Sequence, residues 1–269
     1  MKRDTIYPIG RFGKWRDYFI DALTDFDFDD PRNHSQNAIA MLDHEDMASA
    51  QNCDLALAYS SKEQRLGTTS YAELGAARAS GNCITLIDEA KNEDLARRIA
   101  SHSLTDKNSA IELLRSGKYQ SKFCAIPKRD VTKTREPCKK VCFMGDTNSM
   151  GGLIEEIANH KNVSVGFPLE NLFDYSKKTD LMVVNYDKGK AHDSMALFFM
   201  GLSYTTKIPI LELEGNPVPY PTLPGLARRT LFSERRFEFA KFYLTRLQSQ
   251  HINDESQVYY ELMKHFNGY

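Results

Sequence analysis

Two short apolar runs along the chain have the pattern of buried strands in a parallel sheet. They cover residues 54–59 and 180–186, and each leads through a polar loop into a helical pattern of apolar positions. Parallel strands that are covered on both faces read as continuous apolar runs, and a helix returns the chain to the next strand. We therefore predict two βαβ segments, with helices at about 70–80 and 194–205 and following strands at 83–87 and 208–213.

The two segments repeat one spacing. Gly75 follows Asp54 by 21 residues, and Gly201 follows Asp180 by 21 residues. Self-similarity at a fixed spacing is typical of duplicated structural units. We interpret the pattern as a degenerate tandem duplication of one α/β unit. The alternative is one continuous doubly wound sheet whose units look alike by chance.

Each half also opens with a strand that ends in glycine, at residues 5–10 and 141–145. Between the halves, residues 116–140 are rich in Lys, Arg and Thr and indicate a linker. The predicted domains are therefore residues 1–120 and 138–269. Other expected elements are a short strand at 122–126, a proline-rich loop at 215–225 and closing helices at 233–250 and 255–266.

The composition is that of an ordinary globular protein. The chain has 269 residues, of which 41% are hydrophobic and 26% charged, and its net charge is -1. A charge so close to zero provides no general attraction to nucleic acid or to an acidic membrane. No apolar stretch reaches the ~20 residues that span a bilayer, and the first residues contain no apolar signal core. Five cysteines without regular spacing predict neither a disulfide scaffold nor a zinc site. We expect a cytoplasmic protein that binds no nucleic acid or membrane and uses no metal or other cofactor.

The loop at residues 60–69 is the most informative place for chemistry, because ligands of open parallel α/β sheets bind beyond the carboxyl ends of the strands. It is rich in Ser and Thr and leads into a helix with Glu73 near its start. One interpretation of Ser70-x-x-Glu73 is a capping box that closes the helix N-terminus. The other is a carboxylate held at this edge as a nucleophile for an electrophilic carbon.

Several features stand in the order and spacing of a known enzyme family. They are Thr5-Ile6-Tyr7, Asp46 eight residues before Asp54, and the run Glu73-Leu74-Gly75-Ala76-Ala77-Arg78-Ala79-Ser80-Gly81. Together they resemble the nucleoside 2-deoxyribosyltransferases over about residues 4–90. The resemblance implies a flavodoxin-like fold, so we expect an α/β protein of two flavodoxin-like (Rossmann-like) parallel-sheet units in tandem.

The resemblance also implies a chemistry. Glu73 would attack C1′ of a 2-deoxynucleoside to form a covalent deoxyribosyl-enzyme, which a second base or water resolves. Asp46 would protonate the leaving base, and Tyr7 would orient the nucleophilic carboxylate, in keeping with the two carboxyl groups that retaining glycosidic transfer needs. The alternatives are a solvated helix residue for Asp46 and a packed strand residue for Tyr7.

Other polar residues are candidates for binding the substrate. His34 or Gln36 would read the base edge, unless they belong to an ordinary surface loop. The Ser- and Thr-rich loop would bind a 5′-phosphate at the helix N-terminus, unless its hydroxyl groups serve as caps and turns. The substrate-binding candidates are Gly10, His34, Gln36, Gly67, Thr68, Ser70 and Asn216.

The second half lacks the nucleophile. Phe199 stands at the position that corresponds to Glu73, so this copy is expected to be inactive. The resemblance implies that a neighbouring unit completes each site. The second half would then supply a loop around Asn216 to the 5′ side of the sugar, and we expect the protein to form a homo-oligomer, a dimer. The acidic residue that often precedes the nucleophile in the family is absent, and the nearest acid is Glu63.

The sequence thus predicts a transferase that exchanges bases on 2-deoxynucleosides through a Glu73 adduct. One alternative is a hydrolase that cleaves the N-glycosidic bond of a nucleoside or nucleotide. Another is a non-catalytic sensor that binds a nucleotide. The small-molecule partner is a nucleoside or nucleotide in all three cases, and the carboxylate of Glu73 favours an enzyme.

Overall fold

Two separate parallel sheets form the framework of the protein. The computed structural model describes residues 3–34, 39–129, 138–186, 193–214, 229–232 and 236–249. Each sheet has five strands, and when the strands of each unit are numbered along the chain, both sheets have the spatial order 2-1-3-4-5. The chain is therefore an α/β protein of two flavodoxin-like units in tandem, and the alternative of one continuous sheet is wrong.

The first sheet and its helices come from the N-terminal part of the chain. Its strands are β1 (Thr5–Ile9), β2 (Asp27–Phe28), β3 (Leu55–Ser60), β4 (Cys83–Asp88) and β5 (His102–Leu104). The helices are α1 (Trp15–Ala22), α2 (Ile39–Asn52), α3 (Thr68–Ser80), α4 (Asp94–Ile99) and α5 (Lys107–Arg115), with a 3-10 turn at Pro31–Asn33.

The second sheet repeats this plan. Its strands are β6 (Lys140–Gly145), β7 (Asn162–Val165), β8 (Leu181–Tyr186), β9 (Ile210–Glu214) and β10 (Arg229–Phe232). The helices that follow in the chain are α6 (Gly151–Ala158), α7 (Tyr175–Lys178), α8 (Ser194–Thr206) and α9 (Arg236–Ser249), and a 3-10 helix covers Leu169–Asp174.

The central strands are buried along their whole length because helices cover both faces of a parallel sheet. All six residues of β3 and all six of β4 are buried. In the first unit the core joins Ile6, Phe19, Leu55 and Leu57, and a corresponding core in the second unit forms around Phe143. This is why the strand predictions from apolar runs agree with the structure to within two residues.

An aspartate holds the start of the sheet in both units. Asp54, directly before β3, accepts a hydrogen bond from the Thr5 backbone N–H at 2.8 Å. Asp180, directly before β8, accepts from the backbone N–H groups of Lys139 and Lys140, each at 2.9 Å. The spacing that first indicated a duplication therefore begins at a residue with the same structural role in both copies.

A glycine stands at the end of the first strand of each unit, and its backbone conformation explains why the residue is glycine. Gly10 and Gly145 have φ angles of 136° and 83°, which L-residues with a side chain rarely adopt. A Cβ atom on Gly10 would lie 2.7 Å from the Tyr59 carbonyl oxygen, and one on Gly145 would lie 2.3 Å from that of Asn185. The chain can turn this closely past the neighbouring strand only without a side chain.

The compact units do not follow the order of the chain throughout. The first contains the described residues up to Pro127 together with α8, and the second contains the other described elements. Within the first unit, α8 packs on α3 at Gly75 and Gly201. A Cβ atom on Gly75 would lie 2.0 Å from the Phe198 carbonyl oxygen, and one on Gly201 would lie 1.8 Å from that of Ala72. The two glycines allow the helix backbones to touch.

The irregular segments differ more from expectation. Residues 122–126, predicted as a short strand, contain no strand, although the Ile126 N–H donates to the Ala79 carbonyl at 2.8 Å. The closing helix predicted at 233–250 is α9. The proline-rich loop at 215–225 and the last predicted helix, 255–266, lie outside the described residues. Among the helices that the structure describes, none has the length and apolar character needed to cross a membrane.

Candidate active site

Glu73 lies in the second turn of α3, not in its first. The helix begins at Thr68, and the preceding Gly67 occupies the N-cap position without a side-chain cap. Ser70 is therefore the third helical residue and cannot cap the helix from outside, so the capping-box interpretation is wrong. Glu73 is 5% exposed, and a buried carboxylate in the middle of a helix needs partners elsewhere in the fold.

One such partner is Tyr7 on β1. Its hydroxyl donates to Glu73 Oε1 at 3.2 Å, and the tyrosine side chain is fully buried. Burial, and next the negative charge of Glu73, raise the pKa of Tyr7 well above its usual value. The phenol therefore keeps its proton and remains a donor to the carboxylate. The structure brings these two predicted residues together, as an orienting role for Tyr7 requires.

Asp46, on α2, is buried with them. It is 8% exposed, so the interpretation as a solvated helix residue is wrong. Burial raises the pKa of the Asp46 carboxyl group, against the opposing effect of its hydrogen bond with His34. The charge of Asp46 in turn contributes to the raised pKa of Tyr7, so Asp46 lies near the tyrosine that donates to Glu73.

His34 does not lie in an open surface loop. Its Nδ1 is 2.8 Å from Asp46 Oδ1, and its Nε2 is 2.9 Å from Asp29 Oδ1. The imidazole ring is stacked parallel to Tyr7, with 6.3 Å between ring centroids and 9° between the planes. Burial by itself would lower the pKa of His34, but the hydrogen bonds and charges of Asp29 and Asp46 raise it. With both ring nitrogens held by carboxyl groups, the imidazole is not available to read a base edge.

A buried ion pair that the sequence did not predict lies next to these residues. Arg16, on α1, is 2% exposed and lies 3.1 Å from Asp30 Oδ1. Its second terminal nitrogen donates to the Gly10 carbonyl oxygen at 2.8 Å, and its Nε has no hydrogen-bond partner among the described residues. Burial lowers the pKa of Arg16, while the charges of Asp30 and Glu73 oppose this. Arg16 thus provides positive charge near the Glu73 carboxylate.

A signal for the ion pair was present in the sequence. Arg16 stands between Trp15 and Phe19, both core residues, six positions after the strand that ends at Gly10. A charged residue among core positions at the carboxyl end of a strand is a candidate for a buried functional pair. Asp30 also accepts from the Arg32 side chain. Burial by itself would raise the pKa of Asp30, but the hydrogen bonds with Arg32 and the charges of the two arginines lower it.

The polar loop before α3 is organised around a different carboxylate, Glu93, which is fully buried. Glu93 Oε1 accepts from the Ser60 hydroxyl at 2.9 Å and from the Leu66 backbone N–H at 3.0 Å. Its Oε2 accepts from the Tyr71 hydroxyl at 2.5 Å. The Arg65 side chain also approaches Oε1, at 3.5 Å. Burial by itself would raise the pKa of Glu93, but these hydrogen bonds lower it.

The remaining predicted residues have simpler positions. Gly67 is the N-cap of α3, Thr68 and Ser70 lie in its first turn, and Glu73 follows Thr68 by five positions, about 8 Å along the helix. Gly10 approaches the Tyr59 carbonyl and accepts from Arg16 through its own carbonyl oxygen. Gln36 and Asn216 lie outside the described residues. Across the part of the chain that the structure describes, no group of three His, Cys, Asp or Glu side chains is placed to hold a metal ion.

No protein-family model matches the chain, and no curated protein matches it. Among solved structures, it is similar to the catalytic subunit of cobaltochelatase from Mycobacterium tuberculosis, with 10% identity over 80% of this chain and a TM-score of 0.30; the match spans 22% of that chain. It is also similar to a putative sugar binding protein from Salmonella typhimurium LT2, with 13% identity, 91% of this chain, 86% of the other and a TM-score of 0.27. Likenesses at this level carry no argument about activity.

Proposed function

We propose that the protein is an enzyme that cleaves the N-glycosidic bond of a 2-deoxynucleoside and transfers the sugar to another base. The observation that carries this proposal is the burial of two carboxyl groups around Tyr7: Glu73 accepts from the Tyr7 hydroxyl, and the charge of Asp46 acts on the same tyrosine. Retaining glycosidic enzymes need two carboxyl groups held close together, about 5–5.5 Å apart.

The environments of the two groups support different roles. Glu73 accepts a hydrogen bond from the Tyr7 hydroxyl and lies near the positive charge of Arg16, and both interactions suit a carboxylate that acts as a nucleophile. Burial raises the pKa of Asp46, which favours the protonated form that a general acid needs. Glu73 would attack C1′, the C1′–N bond would break toward the base, and Asp46 would give its proton to the base.

The loop before α3 supports a substrate without a 5′-phosphate. A phosphate at this helix N-terminus would need free hydroxyl and N–H donors. The Glu93 carboxylate already accepts from the Ser60 hydroxyl and from the Leu66 backbone N–H. The Ser61 hydroxyl accepts from the backbone N–H groups of Glu63 and Gln64. A second anion beside Glu93 would also be repelled. We therefore propose the free nucleoside as the substrate, rather than its monophosphate.

The test is incubation of the protein with deoxyinosine, with and without excess adenine, followed by chromatography of the products. We expect deoxyadenosine from the wild type and at least about 100-fold less product from deoxyinosine 5′-monophosphate. Glu73→Gln should reduce product formation by about 10³-fold or more, because it removes the nucleophile. Glu112→Gln, an exposed glutamate on α5, is the matched control and should behave as wild type.

The other outcomes separate the alternatives. Release of hypoxanthine at the same rate with or without adenine would replace the transferase by a hydrolase. Thermal stabilisation by a nucleotide without any product would replace the enzyme by a sensor. Full activity of Glu73→Gln would contradict the proposed nucleophile in either enzyme.

A further inference from the structure

The contacts of His34 point to a group that acts through Asp46 and not on the substrate itself. The imidazole bridges two carboxyl groups of different exposure, with the Asp29 side chain 40% exposed and that of Asp46 12% exposed. The ring is 10% exposed. An imidazole with a carboxylate at each nitrogen is most stable with a proton on both nitrogens.

We propose that Asp29 and His34 form a proton store for Asp46, and this inference rests on the proposed glycosidic reaction. Asp29 accepts the Nε2–H of His34 and thereby leaves the Nδ1 proton as the mobile one, shared with Asp46. When the base departs, the Nδ1 proton of His34 passes to Asp46 and from Asp46 to the base, which leaves a neutral imidazole and an Asp46 carboxylate. The N–H proton of the incoming base, or a proton of water in hydrolysis, then restores the imidazolium through Asp46. Atoms and charges balance over the cycle, and no other reactant is needed.

The surroundings of the imidazole fit this role. Tyr7 stacks on the ring from β1, and the Ser49 hydroxyl on α2 lies 3.4 Å from Nε2. From α1, the positive charge of Arg16 acts on Asp46 and lowers its pKa, against the effect of burial. A lone buried carboxyl group in this place would keep its proton only up to its own pKa. The His34–Asp46 pair holds one proton to higher pH, because the carboxylates raise the pKa of His34.

The decisive experiment compares two leaving groups in the wild type and in His34→Gln. Deoxyguanosine needs a proton on its departing base, whereas 7-methyl-2′-deoxyguanosine already carries a positive charge and leaves as a neutral base. At pH 8 we expect His34→Gln to cleave deoxyguanosine about 100-fold more slowly, within the usual range for general acid catalysis. On the methylated substrate the variant should stay within about threefold of wild type. A purely structural role would slow both substrates equally and overturn the proposal.

The pH dependence gives a second readout. The deficit of His34→Gln on deoxyguanosine should shrink as the pH falls from 8 to 5, because burial raises the pKa of Asp46 and its carboxyl group gains its own proton as the pH is lowered. Asp29→Asn keeps an acceptor for Nε2 but loses the charge, and should show a deficit of about tenfold at pH 8. The matched control is His160→Gln, an exposed histidine in the second unit, which should leave both substrates unaffected. A deficit of His34→Gln that does not change between pH 5 and pH 8 would contradict the store.

Nitrogen-15 NMR of the full chain tests the store without any activity. At pH 7.5 the signals lost in His34→Gln should be those of a doubly protonated imidazole, and Asp29→Asn should lower their titration midpoint. If the wild type cleaves neither nucleoside, the proposed function is wrong. The NMR result then tests only whether His34 is doubly protonated between Asp29 and Asp46. A neutral His34 ring at pH 7.5 would overturn the store even in an active enzyme.

Discussion

The carboxyl edges of the two sheets have the same backbone plan but different side chains. Tyr7 on β1 donates to Glu73, whereas the matching register position on β6 holds Cys142, whose thiol contacts the Gly166 carbonyl oxygen at 3.7 Å. Phe199, fully buried, stands where Glu73 would be expected from the repeat. The duplicated fold therefore persists without these polar groups.

What the units share is the scaffold. Asp54 and Asp180 hold the first strands, and Gly10 and Gly145 allow the turn at the strand ends. In the second unit the position beside that turn holds Asn185, which donates to the Asp146 carbonyl and accepts from Arg236. The duplicated positions therefore serve the fold, whereas Tyr7 and Glu73 have no polar counterpart at the matching positions of the second unit.

The largest effect is expected where the duplicated glycines let α3 and α8 touch. Gly75→Ala and Gly201→Ala should each lower the free energy of unfolding by about 3 kcal/mol or more, because the new Cβ would overlap backbone atoms that cannot move independently. Denaturant unfolding followed by circular dichroism measures this. Gly152→Ala on α6 is the control, because its Cβ meets nothing within 4 Å and should add about 0.5–1 kcal/mol. Unequal losses of stability in the two variants would show that Gly75 and Gly201 do not contribute equally to the contact between α3 and α8.

A smaller effect is expected at the buried ion pair, which has no counterpart at the start of α6, where Gly151 and Gly152 stand. Asp30→Asn leaves Arg16 buried without its carboxylate and should lower the free energy of unfolding at pH 7 by about 3 kcal/mol. Because the pKa of Asp30 is lowered on folding, its contribution is present above its unfolded pKa, about 3.9, and is lost as the pH falls through the folded value.

Denaturant unfolding between pH 7 and pH 2 tests this ion pair. The wild type should lose stability on acidification below about pH 4 more steeply than Asp30→Asn does. Asp17→Asn removes an exposed partner of Arg32 and serves as the control, with an expected cost of about 0.5 kcal/mol. If the free energy of unfolding fell equally with pH in wild type and Asp30→Asn, the ion pair would not contribute to the stability of the first unit.

The smallest effect is expected at the register pair Tyr7 and Cys142. Tyr7→Phe should lower kcat/KM for deoxyinosine about tenfold, which corresponds to about 1.4 kcal/mol, because Glu73 loses its orienting donor. Cys142→Ala should leave kcat/KM unchanged. Steady-state kinetics under the conditions used for Glu73→Gln measures both. Equal losses in the two variants would mean that the position matters through packing alone.

Much of the fold was predictable because apolar periodicity is a local property of the chain. The runs at 54–59 and 180–186 predicted β3 and β8, and the helix predicted at 194–205 is α8. The strands of two to four residues, β2, β5, β7 and β10, were not predicted, because such short elements have too few positions for a period to show. The capping box at Ser70 was wrong because N-cap signals shift easily by one turn in a loop rich in Ser and Thr.

The α/β class, the duplication and the choice of Glu73 as a candidate follow from residue type and spacing along the chain, and the resemblance to a known family added Tyr7 and Asp46. The folded structure was needed to show that Glu73 does not cap α3 but accepts from Tyr7, and that Glu93 accepts from Ser60 and Leu66 in the loop. It also placed Arg16 against Asp30 and clamped His34 between two carboxyl groups. These facts depend on burial and on contacts between side chains far apart in sequence, and a buried charge is stabilised only by the partners that the fold brings to it.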